Sequence, residues 1–134
     1  MAKPTDREIL ALHRYFIWAN RMRTHLDAIL DRGEIKRHSE FPIEAHMYMS
    51  LWYACLYVVI EGWQGLGLKD VTIDALLKSP NTLLLKRYRN GVFHFQRKYF
   101  DRRFLEIVDD GENVVAWIRN LNHEFGRFFL QRPK

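Results

Sequence analysis

The chain has almost no means of covalent stapling. Its 134 residues include a single cysteine, Cys55, so an internal disulfide is excluded. With no signal-peptide pattern at the start, a reducing cytoplasm is the expected compartment. Proline and glycine are scarce, at four and seven, which leaves long stretches free to be helical. The longest uninterrupted apolar run, Leu51 to Ile60, has ten residues. A bilayer crossing needs about 20, so no membrane association is expected. No segment alternates polar and apolar residues between hairpin turns, which argues against strands. Repeats, low-complexity tracts and linkers are absent, and 48% hydrophobic with 28% charged residues is the composition of one globular domain over residues 1–134.

Metal-ligand spacings are missing as well. No His-x3-His pair would put two imidazoles on one helix face. No Glu-x-x-His exists to build a di-iron carboxylate bundle, so no metal and no cofactor is expected. Gly65-x-Gly67 lacks the third glycine of a dinucleotide loop, and Asp109-Asp110-Gly111 lacks the later ligands of a calcium loop. Both read as turns. Cys55, inside an apolar stretch, reads as an inert core residue.

What is present is helical periodicity. Thr5-Asp6-Arg7-Glu8 has capping-box spacing. Behind it Ile9, Leu12, Phe16, Ala19, Met22, Leu26 and Ile29 recur every three or four residues until Asp31-Arg32-Gly33 stops the helix. A polar connection from Gly33 to Phe41 leads to Pro42, suited to a first helical turn. Residues 43–61 are apolar almost all round, the pattern of a helix at the centre of a bundle. A short helix over 72–78 ends at Ser79-Pro80. Another runs from Asn81 or Thr82 to about Phe95, a short one lies around 103–108, and a last one spans about 113–130. The fold class is all-α, an antiparallel four- to five-helix bundle.

The net charge of +5 is not spread evenly. Between Lys86 and Arg103 lie Lys86, Arg87, Arg89, Arg97, Lys98, Arg102 and Arg103 against one acid, Asp101, giving +6, while the other 116 residues sum to −1. Such a patch suits a polyanion. Tyr88, Phe93, Phe95, Tyr99 and Phe100 interleave it, and exposed rings stack on unpaired bases. The alternative is a solvated helix face whose aromatics point into the core. An anionic membrane surface or an acidic protein would be attracted equally.

Within the patch, Arg89-Asn90-x-x-x-His94 resembles the signature of the HEPN superfamily of small helical-bundle domains: an arginine, usually followed by Asn, His or Asp, and a histidine separated from the arginine by four to six intervening residues. Arg7 to His13, Arg32 to His38 and Arg87 to His94 meet the looser spacing; the Asn, the position late in a helix and the basic surround single out Arg89. Phe95 stands where members often carry a small residue. In a straight helix residues five apart are separated by about 140° and about 7.5 Å, so Arg89 and His94 would not touch. Either the helix is distorted at Gly91 or groups from elsewhere complete the site. The resemblance implies the second: paired domains whose two motifs meet in a cleft at a two-fold axis.

On that resemblance the expected activity is metal-independent RNA cleavage of the toxin or defence kind, giving a 2′,3′-cyclic phosphate. The catalytic residues would be Arg89, Asn90 and His94, with Lys86, Arg87, Arg97, Lys98, Arg102 and Arg103 binding RNA. Histidine titrates near neutrality, so one from each subunit can serve as base and acid. Arg89 would hold the phosphate, and Asn90 would orient the histidine or the phosphate. The implied partners are RNA, a second copy of the chain and, as often in the family, a cognate antitoxin. The alternatives are a catalytically inactive HEPN-like module that binds nucleic acid, a nucleotide or a partner protein, and a bundle whose positive patch docks an acidic partner. In the apolar helix, His46, Ser50, Tyr57 and Glu61 fall within about 60° on a helical wheel. A polar stripe there needs partners: either it faces the motif helix or the dimer cleft, with Glu61 anchoring Arg89 or Arg87, or Glu61 simply sits in solvent at the helix end. His13, His25, His38 and His123 read as surface or packing residues.

Overall fold

The computed structural model describes residues 2–33 and 40–131. His38, with the Arg32 to His38 spacing and most of the polar connection before Phe41, lies outside the described residues. Six helices follow in order: α1 (Asp6–Leu30), α2 (Ile43–Gly65), α3 (Val71–Leu76), α4 (Asn81–Phe93), α5 (Arg102–Asp109) and α6 (Val114–Gln131). The described residues contain no strand. Four helices are long enough to make the bundle; α3 and α5, at six and eight residues, are short and serve as corners.

The first helix starts where its capping box requires. Thr5 Oγ1 accepts from the Glu8 amide at 3.1 Å, and Glu8 Oε1 accepts from the Thr5 amide at 3.0 Å. Of its periodic residues all but Met22 are buried, and Met22 packs against the core edge. Its last turn gives way to Gly33 at φ +76°, a left-handed conformation that glycine adopts without a Cβ penalty.

The second helix occupies the centre. Trp52, Ala54, Leu56, Val59, Ile60 and Trp63 are almost wholly inaccessible. Over 23 residues α2 is long and apolar enough by length and composition to cross a membrane, which the longest unbroken run had not indicated; half of that apolar stretch is buried inside the bundle. It packs along α1 and across α4, while α5 lies on α4 and α6 closes against α1 and α3. Gly62 permits the α1–α2 approach, since a Cβ there would stand 2.4 Å from Leu12 Cδ1. The α5–α6 corner is tied to the start of α4. Asn81, fully buried, donates to the Glu112 carbonyl at 2.7 Å and accepts from the Glu112 amide at 2.9 Å. Cys55 is half-buried, and burial raises its thiol pKa, which disfavours the reactive thiolate.

A polar network links α1, α2 and α6. The Trp52 indole donates to Asn122 Oδ1 at 3.0 Å, Asn122 donates to Asn20 Oδ1 at 3.0 Å, and Arg23 Nε donates to the same oxygen at 2.9 Å. Asp27 then accepts from Arg23 at 2.8 Å and from Arg119 at 2.7 Å. Burial raises the Asp27 carboxyl, but hydrogen bonds and charge from Arg119 and Arg23 outweigh it and hold the group below its ordinary value. Hydrogen bonding from Arg87 lowers the Glu106 carboxyl in the same sense. A carboxyl with a depressed folded-state pKa binds its proton more readily when unfolded. Its stabilisation is therefore complete above the ordinary carboxylate range and disappears as pH falls through the folded value. Urea unfolding should show a lower midpoint at about pH 3 than at about pH 7, and Arg119→Met should flatten that slope. A slope unchanged in the variant would exclude the Arg119–Asp27 pair as a contributor.

Candidate functional site

The motif helix α4 divides its residues between core and surface. Tyr88 is turned inward, its hydroxyl 2.9 Å from Ser50 Oγ and its ring against Tyr53 and Phe104. Burial raises the Tyr88 phenol, and the Ser50 hydrogen bond offsets part of that rise. Tyr88 is thus withdrawn from the aromatics that a base could reach.

Arg89 is held from three sides. Its Nε–H donates to Asn90 Oδ1 at 2.9 Å, and its two terminal nitrogens reach the two Glu61 oxygens, each at 3.4 Å. The guanidinium lies over the Tyr57 ring at 4.9 Å from its centre. Burial, then the Glu61 charge, raises the Tyr57 phenol, and Arg89 works against both. The polar stripe of α2 therefore meets α4 at Ser50, Tyr57 and Glu61, and Glu61 selects Arg89, leaving Arg87 to another partner. His46, one turn into α2, has its ring 5.5 Å from that of Phe41. Three of the five guanidinium N–H groups of Arg89 are engaged, and the other two have no partner among the described residues.

The carboxylate of Glu61 is more than half exposed, and an ion pair of this kind contributes about 0.2–1 kcal/mol. Glu61→Gln should lower the melting temperature only slightly. If the chain cleaves RNA, the substitution should act on kcat more than on KM, because Arg89 loses its alignment and keeps its charge. Unchanged stability and unchanged cleavage together would mean that Glu61 does not position Arg89.

Helix α4 runs unbroken through Gly91 and ends at Phe93, two residues before the boundary expected from the sequence. Gly91 has a packing role instead of a distorting one: a Cβ there would stand 3.1 Å from both Arg103 Cβ and a Phe104 ring carbon, so its absence lets α5 lie close. The His94 amide donates the last helical bond to the Asn90 carbonyl at 3.1 Å, and the chain then extends at φ −123°, ψ 128°. Gln96 fixes this exit. Its amide donates to the His94 carbonyl at 2.7 Å while its oxygen accepts from Arg103 at 2.7 Å. His94 is exposed, and its imidazole has no hydrogen-bond partner among the described residues.

The basic patch is partly neutralised by folding. Arg87 forms a two-point pair with Glu106, its terminal nitrogen at 3.0 Å. Arg102 lies 3.9 Å from Glu106 and 3.3 Å from Asp110. Arg103 is paired with Asp101 at 3.2 Å, and Asp101 also caps α5 by accepting the Arg103 amide. Lys86, Arg97 and Lys98 are exposed and have no carboxylate partner among the described residues. Beside them Phe93, Phe95, Tyr99 and Phe100 are all exposed, with Tyr99 and Phe100 edge-to-face at 5.0 Å. The segment after α4 thus combines free cations with open aromatic rings.

No family model, curated protein or solved structure matches the chain. The functional reading rests on the Arg89-Asn90-x-x-x-His94 motif and on the geometry around it. Among the described residues no cluster of three or more His, Cys, Asp or Glu side chains is placed to hold a metal ion. His13 stacks on Phe129 at 4.9 Å and His25 on Tyr48 at 4.9 Å, both packing contacts, while His123 is exposed. Sequence reasoning missed Glu106 and Gln96. The Arg102-x3-Glu106 spacing was a visible signal for the first; Gln96 left none.

Proposed function

We propose that the protein is a metal-independent endoribonuclease of the toxin or defence kind, HEPN-like, cytoplasmic, and active as a homodimer. The observation that carries this reading is the exposed His94 imidazole at the end of α4, followed along the chain by Arg97 and Lys98, which have no carboxylate partner among the described residues, and flanked in sequence by the open rings of Phe93, Phe95, Tyr99 and Phe100. In the proposed reaction one His94 takes the proton of the ribose 2′-hydroxyl as that oxygen attacks phosphorus. The partner copy's imidazolium gives a proton to the departing 5′ oxygen as the phosphorus–oxygen bond breaks. The products are a 2′,3′-cyclic phosphate and a 5′-hydroxyl. The two unused N–H groups of Arg89 would neutralise charge growing on the phosphate oxygens, with Glu61, Asn90 and Tyr57 fixing their direction.

Purified protein incubated with RNA in EDTA should cleave it and leave cyclic phosphate ends, and sedimentation should give a dimer. A monomer, or cleavage abolished by EDTA, would overturn the proposal. A second reading is favoured by the engagement of Arg89, whose side chain is only 16% exposed: a silent module in which the arginine is structural and the adjoining segment binds RNA. It predicts RNA retention that weakens with salt, without cleavage.

A further inference from the structure

The outer face of α1 is unlike the rest of the surface, and the RNA site makes no use of it. At 100° per residue, Arg7, Leu10, Arg14, Ile17, Trp18, Arg21 and His25 fall within an arc of about 100°, opposite the stripe that packs on the core. Leu10 is 67% exposed, Ile17 53% and Trp18 51%. No carboxylate lies on that arc; Asp6, Glu8, Asp27 and Asp31 point elsewhere around the helix. Arg7, Arg14 and Arg21 have no ion-pair partner among the described residues, and Arg14 lies over the Tyr15 and Trp18 rings at 5.4 and 5.7 Å.

Spacing identifies the kind of partner. Arginines recur at 7, 14 and 21, apolar residues at 10 and 17, and Ala11, Trp18 and His25 follow the same interval of seven. A seven-residue repeat keeps a seam against a second helix. A shallow, open depression lined by Arg7, Leu10, Ala11, His13, Arg14 and Ile17 lies on this face, with apolar side chains in reach of a facing helix. A lipid surface would need neither the repeat nor the depression. A second copy of the chain is disfavoured by charge, since antiparallel pairing would set Arg14 against Arg14 and Arg7 against Arg21.

We propose that this face docks an acidic amphipathic helix of a different protein, with apolar residues against Leu10, Ile17 and Trp18 and carboxylates against the three arginines. The test uses the full chain and a labelled synthetic three-heptad peptide with leucine along its seam and glutamate on both flanks. Controls are a scrambled peptide of the same composition and phosphatidylserine vesicles. Saturable binding is expected, weaker at higher salt and reduced at least about tenfold by Arg14→Glu and by Leu10→Glu, while circular dichroism and RNA retention stay unchanged. The proposal is overturned by failure of the helical peptide to bind, by equal affinity for the scrambled peptide, by vesicles displacing the peptide, or by a chain dimer that Arg14→Glu dissociates.

Discussion

Replacing His94 by alanine should reduce RNA cleavage at least about 100-fold and leave RNA retention and stability nearly untouched. A positioned general acid or base contributes about 10²–10⁴ in rate, and in the proposed dimer one substitution removes both the acid and the base. The fold has no stake in the imidazole. It is exposed, and the bonds that terminate α4 come from the backbone amide and carbonyl of residue 94, which alanine retains. Surface changes of this kind usually shift stability by no more than about 0.5 kcal/mol, so lost activity cannot be attributed to misfolding. Equal cleavage by wild type and H94A would point to a contaminating nuclease and remove the imidazole from the mechanism. Arg89→Ala is a poorer probe, because the guanidinium also holds α4 to α2 through Glu61 and Tyr57.

The largest stability effect is expected at Trp52. Truncating a buried tryptophan to alanine costs about 3–5 kcal/mol, and Trp52, 1% exposed, also carries the hydrogen bond that opens the network to Asn122, Asn20, Arg23 and Asp27. Arg119 lies over its ring at 5.3 Å and depends on that surface for its approach to Asp27. Trp52→Phe separates the two contributions. Phenylalanine keeps most of the apolar volume but removes the indole donor, leaving the buried Asn122 oxygen unpaired at about 1–3 kcal/mol. Denaturant unfolding should therefore rank wild type above W52F and W52F above W52A. Equal midpoints for wild type and W52F would mean that the Asn122 contact adds nothing net.

Local order was legible in particular residues. Thr5 and Glu8 are three apart, close enough to satisfy each other without help from the rest of the chain, and they do. The all-round apolar character of residues 43–61 placed α2 at the centre, because such a helix has no face to give to water. Its polar exceptions, Ser50, Tyr57 and Glu61, were recognisable as residues in need of partners, and α4 supplies them. The exit at His94 was not legible: the sequence continues with ring-bearing residues, and the Gln96 bridge from the His94 carbonyl to Arg103 of α5 is a contact between elements that no local pattern announces.

The same division applies to charge. Linear order by itself determined an all-helical chain, the capping box at Thr5, the excess of cations between Lys86 and Arg103, and the arginine–histidine motif within it, because periodicity, capping and net charge depend on neighbours a few residues apart. Which of those cations remain available was decided only by tertiary structure. Glu61 and Glu106 reach Arg89 and Arg87 across 28 and 19 residues of chain. Pairing over such distances follows from how α2 and α5 pack on α4, which no local pattern encodes.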